Sequence, residues 1–364
     1  MVTLPSEIAL YLTFLVSFIV TYLSIPSIVR VARQKKFFDN PSHRRSHLQQ
    51  IPTLGGVAIF AGFTVAAGSF IRFDFVPSMQ YILVACIIIF FIGLKDDIQI
   101  LAPHKKLIGQ ITAALVLIIF GNVNFTNIHG FFGIYEINAI SSLFLTLFVI
   151  IVIINSLNLI DGIDGLASSV GILGTIFFGV WFYISGNIEY CIFSATVLGS
   201  LLGFFRFNVS NKEFKIFMGD TGSMLVGLLL VVQVIFFNEL NAVSVSSFAF
   251  KSAPAVSIAV LIIPLCDTLR VFIIRMSRGR SPFVADKNHL HHCMLKLGFK
   301  HVQATLLIVL VNTFFIVLAV LLQNIGILWL LLIIITTATS FLLVLEYLVR
   351  ERNNNREQQK KKLP

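Results

Sequence analysis

The sequence predicts an all-α, polytopic integral membrane protein with about eleven transmembrane helices, an outside N-terminus and a cytoplasmic C-terminus. First, 57% of the 364 residues are hydrophobic and only 12% are charged, whereas soluble proteins carry about 25% charged residues. Second, apolar runs of membrane-spanning length recur from one end of the chain to the other. Third, the Lys and Arg residues gather in alternate loops, as they do in membrane proteins.

Each predicted span is an apolar run bounded by polar residues. A bilayer core of about 30 Å requires roughly 20 apolar residues per helix, and a few of the runs are shorter. The first run has no Lys or Arg before it and no small-residue cleavage pattern after it, so we expect a retained helix. The predicted spans are 8–31, 54–71, 76–94, 107–123, 139–157, 166–185, 190–207, 223–238, 253–275, 304–321 and 325–347.

The distribution of basic residues sets the predicted orientation. With the N-terminus outside and the spans alternating, 25 of the 27 Lys and Arg residues lie on the inner side, and only Arg72 and Lys251 lie outside. This asymmetry follows the positive-inside rule, and it explains the net charge of +10 without a nucleic-acid partner. We predict a single membrane domain over residues 1–350 and a basic, disordered cytoplasmic tail over 351–364.

An acidic pair ends the third span. Asp96 and Asp97 are adjacent, and Lys106 follows in the same inner loop. Adjacent carboxylates repel each other, which raises at least one pKa unless a cation lies nearby. The pair therefore suits Mg²⁺ binding or proton abstraction from a phosphate. The alternative is an ordinary solvated helix end.

A second polar pattern closes the fifth span. Asn155, Asn158, Asp161 and Asp164 recur at every third position, so on a helix they would drift slowly along one side. Such a polar side is costly in an apolar helix unless it is used. Amide and carboxylate oxygens are hard ligands suited to Mg²⁺. The alternative is a helix end with Asp caps and a glycine turn.

A third motif, residues 217–223, opens the eighth span. Asp220 is a candidate metal ligand, and Phe217 is a candidate stacking surface for a base. The alternative is structural, with Thr221 or Ser223 capping the helix that follows.

Two further inner loops are basic. The loop 38–56 ends in Gly55-Gly56, which we expect to pack closely. Near the inner end of the ninth span we expect an i,i+3 ion pair between Asp267 and Arg270.

The last inner loop combines arginine and histidine side chains, which together suit the binding of an anion. The alternatives are a positive-inside loop and a zinc site, which would lack a fourth ligand. The basic candidates of the last inner loop are Arg275, Arg278, Arg280, His289, His291 and His292.

Acids and amides favour Mg²⁺ and bases favour phosphates, so the inner loops together indicate a phosphoryl-type transfer. In order along the chain, these motifs resemble the polyprenyl-phosphate N-acetylhexosamine-1-phosphate transferases of glycosyltransferase family 4. The pattern of His289, His291 and His292 is similar to the bacterial undecaprenyl-phosphate alpha-N-acetylglucosaminyl 1-phosphate transferases. The branch that makes lipid I usually carries three consecutive histidines there. The matching segments are 39–56, 96–106, 155–165, 217–223, 264–267 and 275–292.

The resemblance implies a role for most of the candidate residues. Asp220 would bind Mg²⁺, or Mn²⁺ in its place, and Asn158 would join it. Asp164 and Phe217 would contact uracil. Asp96 or Asp97 would deprotonate or position the lipid phosphate; Lys106 would be an active-site lysine, and Asp161 is added to the catalytic candidates. The pyrophosphate would be held by Arg278, Arg280, His289, His291 and His292.

The resemblance also implies substrates and a location. The substrates would be undecaprenyl phosphate and UDP-GlcNAc or another UDP-HexNAc, and the products would be undecaprenyl-PP-GlcNAc and UMP. The enzyme would lie among the lipids of the bacterial cytoplasmic (inner) membrane, and a homodimer is a family expectation. This reaction would be the first membrane step of a cell-envelope glycan.

Three alternatives remain open from the sequence. The transfer could be direct or could pass through a covalent phospho-Asp. The sugar donor could be UDP-MurNAc-pentapeptide. A transporter or flippase would place polar residues near the bilayer midplane and often shows inverted repeats, whereas here the span centres are apolar and no repeat is visible.

Overall fold

The computed structural model describes residues 5–35, 51–210, 213–277, 279 and 289–361. Within these ranges nearly all regular structure is helical, and every predicted span coincides with a helix or helix pair. A π-helical turn, Val116–Phe120, continues α4, and a short 3₁₀ turn, Gln323–Ile325, precedes α13. The helices are α1 Ser6–Lys35, α2 Gly55–Phe70, α3 Met79–Ile98, α4 Pro103–Leu115, α5 Ala139–Ile160, α6 Leu166–Ile184, α7 Ile188–Asn208, α8 Gly219–Ala242, α9 Ala253–Val260, α10 Ile262–Ser277, α11 Leu290–Lys296, α12 His301–Leu322 and α13 Ile327–Lys361.

Eight of the helices in the described ranges are long and apolar enough to cross a membrane, or nine if α9 and α10 form one bent span. Helix α2, with 16 residues, is shorter. The protein is therefore a helical, multi-pass membrane protein. The total of eleven spans and the orientation stay predictions.

Helix α8 runs through the centre of the bundle. It packs against α2, α3, α5 and α6, and its side chains are buried along most of its length. A helix that is apolar on all sides is expected in such a central position. Small residues let the neighbours approach closely: a Cβ at Gly227 would lie 2.7 Å from the Cα of Ile154.

The predicted span 253–275 is broken rather than continuous. Helices α9 and α10 meet at a bend of 76°. The break frees backbone groups that must be satisfied inside a membrane protein. Asn312 of α12 serves them, because its amide donates to the carbonyl of Val260 at 2.8 Å and accepts from the Ile263 N–H at 3.4 Å.

Two features depart from the sequence prediction at the ends of helices. A small antiparallel hairpin, β1 Asn127–Phe131 and β2 Ile134–Glu136, interrupts the all-α pattern, and Glu239 of α8 accepts the Thr126 N–H at 2.8 Å. Helix α13 runs on to Lys361, so residues 351–361, predicted to be disordered, have a helical backbone. Charged residues such as Arg352, which lies beside Gly298, are good helix formers.

Candidate active site

The site begins where α2, α3 and α8 touch without intervening side chains. A Cβ at Gly56 would lie 2.6 Å from the Cα of Gly222, and one at Gly93 would lie 2.8 Å from the backbone nitrogen of Thr221. A backbone hydrogen bond also joins the two segments, since the N–H of Gly56 donates to the carbonyl of Met218 at 2.9 Å. The predicted close packing of the Gly55-Gly56 pair is confirmed, and its partner is the start of α8.

Asp97 supplies the cap of helix α8. Its two carboxylate oxygens accept the backbone N–H of Asp220 at 2.7 Å and of Thr221 at 3.0 Å, and also the Thr221 hydroxyl at 2.5 Å. A negative charge is favourable at a helix N-terminus. The structural alternative, in which Thr221 or Ser223 caps this helix, is wrong, because the Thr221 hydroxyl donates to Asp97 and Ser223 donates to the carbonyl of Gly219 at 2.9 Å. The capping group comes from a different helix, more than 120 residues earlier in the chain.

The second carboxylate of the pair faces a different group of side chains. Asp96 is buried, accepts the Leu101 N–H at 2.6 Å and forms an ion pair with Lys106. The Lys106 ammonium also lies 3.4 Å from a carboxylate oxygen of Asp220. Asn158 donates to the other oxygen of Asp220. The ends of α3, α4, α5 and α8 therefore bring Asp96, Lys106, Asn158 and Asp220 together.

The donor set at this junction fits a hard divalent cation. The carboxylates of Asp96 and Asp220 lie within hydrogen-bonding reach of each other, and an amide adjoins them. Across the described ranges, no group of three or more His, Cys, Asp or Glu side chains is arranged to hold a metal ion. Mg²⁺ usually takes only one or two protein carboxylates and fills its shell with waters and substrate phosphates, so two carboxylates and Asn158 suit it.

The polar run that closes the fifth span serves several purposes. Helix α5 ends at Ile160 and Asp161 is its C-cap, so only Asn155 and Asn158 lie along one side of a helix as predicted. Asp161 and Asp164 follow in a loop, which is the alternative of a helix end with a glycine turn.

Asn155 and Gln110 form a reciprocal amide pair with N–O distances of 2.7 and 3.3 Å. Gly165 adopts φ 79°, which favours glycine.

A second cluster forms around Asp164, beside the first. Asp164 is 7% exposed. Its Oδ2 lies 2.6 Å from the Lys215 ammonium and 3.6 Å from Nδ1 of His301. Burial alone would raise the pKa of the Asp164 carboxyl, but hydrogen bonds and charge from His301 and Lys215 offset it and hold the pKa below its ordinary value.

Phe217 adjoins this cluster through the same cation. The Lys215 ammonium lies over the Phe217 ring at 5.8 Å from the centroid. The two residues expected to contact uracil, Asp164 and Phe217, are therefore linked by a lysine that the sequence reasoning missed. Its partner lies 51 positions earlier, so only the tertiary structure brings the two together.

The histidine motif is held by Asp267. The Asp267 carboxylate is fully buried and accepts from His289 Nδ1 at 3.0 Å, from the Leu290 N–H at 2.9 Å and from Arg270 at 3.0 Å. The predicted i,i+3 ion pair with Arg270 is confirmed, but it is one part of a larger network. The other ring nitrogen of His289 lies 3.3 Å from the Arg275 guanidinium.

His291 faces the loop that carries Asp161 and Asp164. A Cβ at Gly162 would lie 2.7 Å from Cδ2 of the His291 ring and nearer still to Nε2, so only glycine allows this contact. Burial and the neighbouring His292 lower the pKa of His291 to about 3, which makes the ring neutral at neutral pH. The structure thus brings His289, His291 and His292 next to the site, whereas Arg278 and Arg280 lie outside the described residues.

Known proteins are similar to this chain over most of its length. The model of glycosyl transferase family 4 matches residues 79–238. Undecaprenyl-phosphate alpha-N-acetylglucosaminyl 1-phosphate transferase of Escherichia coli O157:H7 is 28% identical over 85% of this chain and 81% of its own. Decaprenyl-phosphate N-acetylglucosaminephosphotransferase of Mycobacterium tuberculosis H37Rv is 34% identical over 83% of this chain and 79% of its own.

The fold, the site and these matches define a polytopic membrane enzyme of the phosphotransferase class. The chain belongs to glycosyl transferase family 4.

Proposed function

We propose that the protein transfers GlcNAc-1-phosphate from UDP-GlcNAc to undecaprenyl phosphate, giving undecaprenyl-PP-GlcNAc and UMP. The convergence of Asp96, Lys106, Asn158 and Asp220 from four helices carries the proposal. The relatives are named for the transfer of N-acetylglucosamine phosphate to polyprenyl phosphates, which supports the sugar and the lipid.

In this proposal, Asp220 and Asn158, with Asp96 beside them, would hold Mg²⁺, or Mn²⁺ in its place. When bound, the ion would supply positive charge opposite the pyrophosphate of the sugar donor. Lys106, which contacts both carboxylates, adds a second positive charge for phosphate oxygens. Such a centre stabilises charge and positions groups, which accounts for most of the catalysis in phosphoryl transfer.

The two members of the acidic pair take different roles. Both oxygens of Asp97 are engaged by the start of α8, so Asp97 positions Asp220. Asp96, which faces Lys106, is the better candidate to deprotonate or position the lipid phosphate. A phosphate oxygen of the lipid then attacks the β-phosphorus, a new P–O bond forms, and the bond to the bridging oxygen breaks as UMP leaves with that oxygen.

The uridine end of the donor fits the second cluster. Asp164 offers a carboxylate oxygen and Phe217 offers a ring face on which a base could stack. Asp161, the residue after the end of α5, lies in the same loop as Asp164 and stays a catalytic candidate. His289, His291 and His292, with Arg278 and Arg280, are proposed to hold the pyrophosphate.

The proposed orientation puts this chemistry in the cytoplasm. The site gathers the C-terminal ends of α3 and α5 and the N-terminal ends of α4, α8 and α12, which share one face in an eleven-span arrangement with the N-terminus outside. The hairpin then lies at the opposite, outer face. We place the protein in the bacterial cytoplasmic (inner) membrane as one domain over 1–350, and a homodimer stays a family expectation.

A transfer assay on purified protein in detergent tests the proposal. Undecaprenyl phosphate is supplied with UDP-GlcNAc, UDP-MurNAc-pentapeptide or another UDP-HexNAc, with Mg²⁺ present or chelated. We expect UMP release only from UDP-GlcNAc, only with the lipid and only with Mg²⁺. Asp220→Ala should abolish it, and Asp74→Ala, at an exposed position in the loop between α2 and α3, should not.

Other outcomes distinguish the alternatives. Release from UDP-MurNAc-pentapeptide alone would keep the reaction class and replace the sugar. A radiolabelled phosphoprotein formed from donor without lipid would replace the direct attack by a covalent phospho-Asp. No release from any UDP-sugar by folded protein would reject the enzyme activity and favour transport.

A further inference from the structure

One carboxylate oxygen of Asp164 accepts no hydrogen bond from the described residues, although it is buried. Its other oxygen, Oδ2, lies 2.6 Å from the Lys215 ammonium and 3.6 Å from Nδ1 of His301. A buried polar atom without a partner is costly. The asymmetry indicates that Oδ1 is kept as an acceptor for a ligand.

These two partners of Asp164 come from separate parts of the fold. Lys215 lies just before α8 and is 8% exposed, and His301 is the first residue of α12. Neither residue belongs to the polar pattern around Asp164 in the sequence. An ammonium with so little exposure is rare unless it is paired, so Lys215 and Asp164 depend on each other.

The backbone around Asp164 is held on both sides. The Asp164 carbonyl accepts the Thr305 hydroxyl at 2.8 Å. Asn208 accepts the Gly165 N–H at 2.7 Å and donates to the carbonyl of Ile216 at 3.0 Å. One amide therefore joins the loop that carries Asp164 to the segment that carries Lys215, which fixes the distance between them.

This arrangement selects one kind of base. Uracil presents an imide N–H between two carbonyl groups, and an ionised carboxylate accepts from that N–H. Cytosine presents a bare ring nitrogen at the same position, so a carboxylate there would face an acceptor. A site built around one hydrogen bond discriminates strongly against an analogue that leaves its buried polar group unpaired.

We propose that Lys215 and His301 are positioning residues that hold Asp164 ionised through Oδ2, and thereby make Oδ1 the acceptor that selects uridine over cytidine nucleotides. The inference rests on the proposed function for the identity of the nucleotide. Lys215 and His301 would act on nucleotide binding by positioning Asp164, and they would not contact the transferred phosphate.

The test measures binding of UMP and CMP by isothermal titration calorimetry to full-length protein in detergent. Wild-type protein should bind UMP more tightly than CMP. Lys215→Met should weaken UMP about tenfold or more, the range for a hydrogen bond to a charged group, with CMP changed far less. Lys215→Arg should restore the preference, and Lys251→Met, at an exposed lysine in the loop before α9, should leave it unchanged.

His301→Gln provides a second, milder variant in case Lys215→Met does not fold. It should lower the ratio of UMP to CMP affinity in the same direction but less. An unchanged ratio in both His301→Gln and a folded Lys215 variant would overturn the inference, as would equal loss of UMP and CMP affinity. Failure of the proposed function would look different. In that case wild-type protein would release no UMP in the transfer assay but would still bind UMP more tightly than CMP in the calorimetric measurement.

Discussion

Replacing Gly56 by alanine should separate α2 from the start of α8. The new Cβ would lie 2.6 Å from the Cα of Gly222, where ordinary contact begins at 3.4 Å, and the opposing atoms belong to backbone. Neither side can rotate away, so the helices must move apart by about 1 Å. Overpacking of this kind costs about 1–3 kcal/mol. Because Asp220 lies two residues before Gly222, a displacement of about 1 Å could lower kcat by roughly 10²-fold.

Gly68→Ala is the matched control on the same helix. A Cβ at Gly68 meets nothing within 4 Å, and alanine is the better helix former by about 1 kcal/mol. Thermal unfolding in detergent should show a lower midpoint for Gly56→Ala and an unchanged or higher midpoint for Gly68→Ala. UMP release should fall only in the first. Equal behaviour of the two variants would refute the close-packing argument.

Three further changes test separate parts of the structure. Asp97→Ala removes the acceptor of the first N–H groups of α8, so it should destabilise the protein by about 0.5–2 kcal/mol; an unchanged midpoint in thermal unfolding would contradict the capping role. Asn155→Leu should cost about 1–3 kcal/mol because the buried Gln110 amide loses this partner. Gln110→Leu should cost less, because Asn155 is half-buried and keeps its bond to the Ile151 carbonyl. The double variant should cost less than the sum of the two, and additivity in this double-mutant cycle would contradict the pair. His291 binds a proton near its ordinary pKa of 6.5 when unfolded but only near about 3 when folded, so stability should fall as the pH drops through this interval. His291→Gln should flatten the dependence of stability on pH in this interval, and an unchanged dependence would contradict this role of His291.

The sequence predicts the positions of the helices well because hydrophobic length acts locally, whereas the orientation stays a prediction. All eleven apolar runs coincide with helices. The bend after Val260 was missed although the run carries Pro264, which lacks the N–H that would bond to the Val260 carbonyl in a continuous helix; Asn312, 52 residues further along the chain, donates to that carbonyl instead. The hairpin over 127–136 was missed because its strands, of 5 and 3 residues, are short.

The site was predicted in its parts but not in its arrangement. Spacing alone singled out Asp96, Asp164 and Asp220 because charges are rare in this chain. It missed Lys215 and His301, which look like ordinary positive-inside residues until the fold brings them to Asp164. Adjacent residues also diverge, since Asp97 caps α8 while Asp96 contacts Lys106, and only three-dimensional contacts distinguish them.

The most direct test of the central claim measures the divalent ion at the junction of the four helices. Mn²⁺ is titrated into the protein in the presence of UDP and followed by electron paramagnetic resonance, with wild type, Asp220→Asn and the control Asp74→Asn compared. We predict a bound Mn²⁺ signal in wild type and Asp74→Asn, and its loss, together with UMP release, in Asp220→Asn. A wild-type Mn²⁺ signal and wild-type UMP release in Asp220→Asn would contradict the assignment of this junction as the active site.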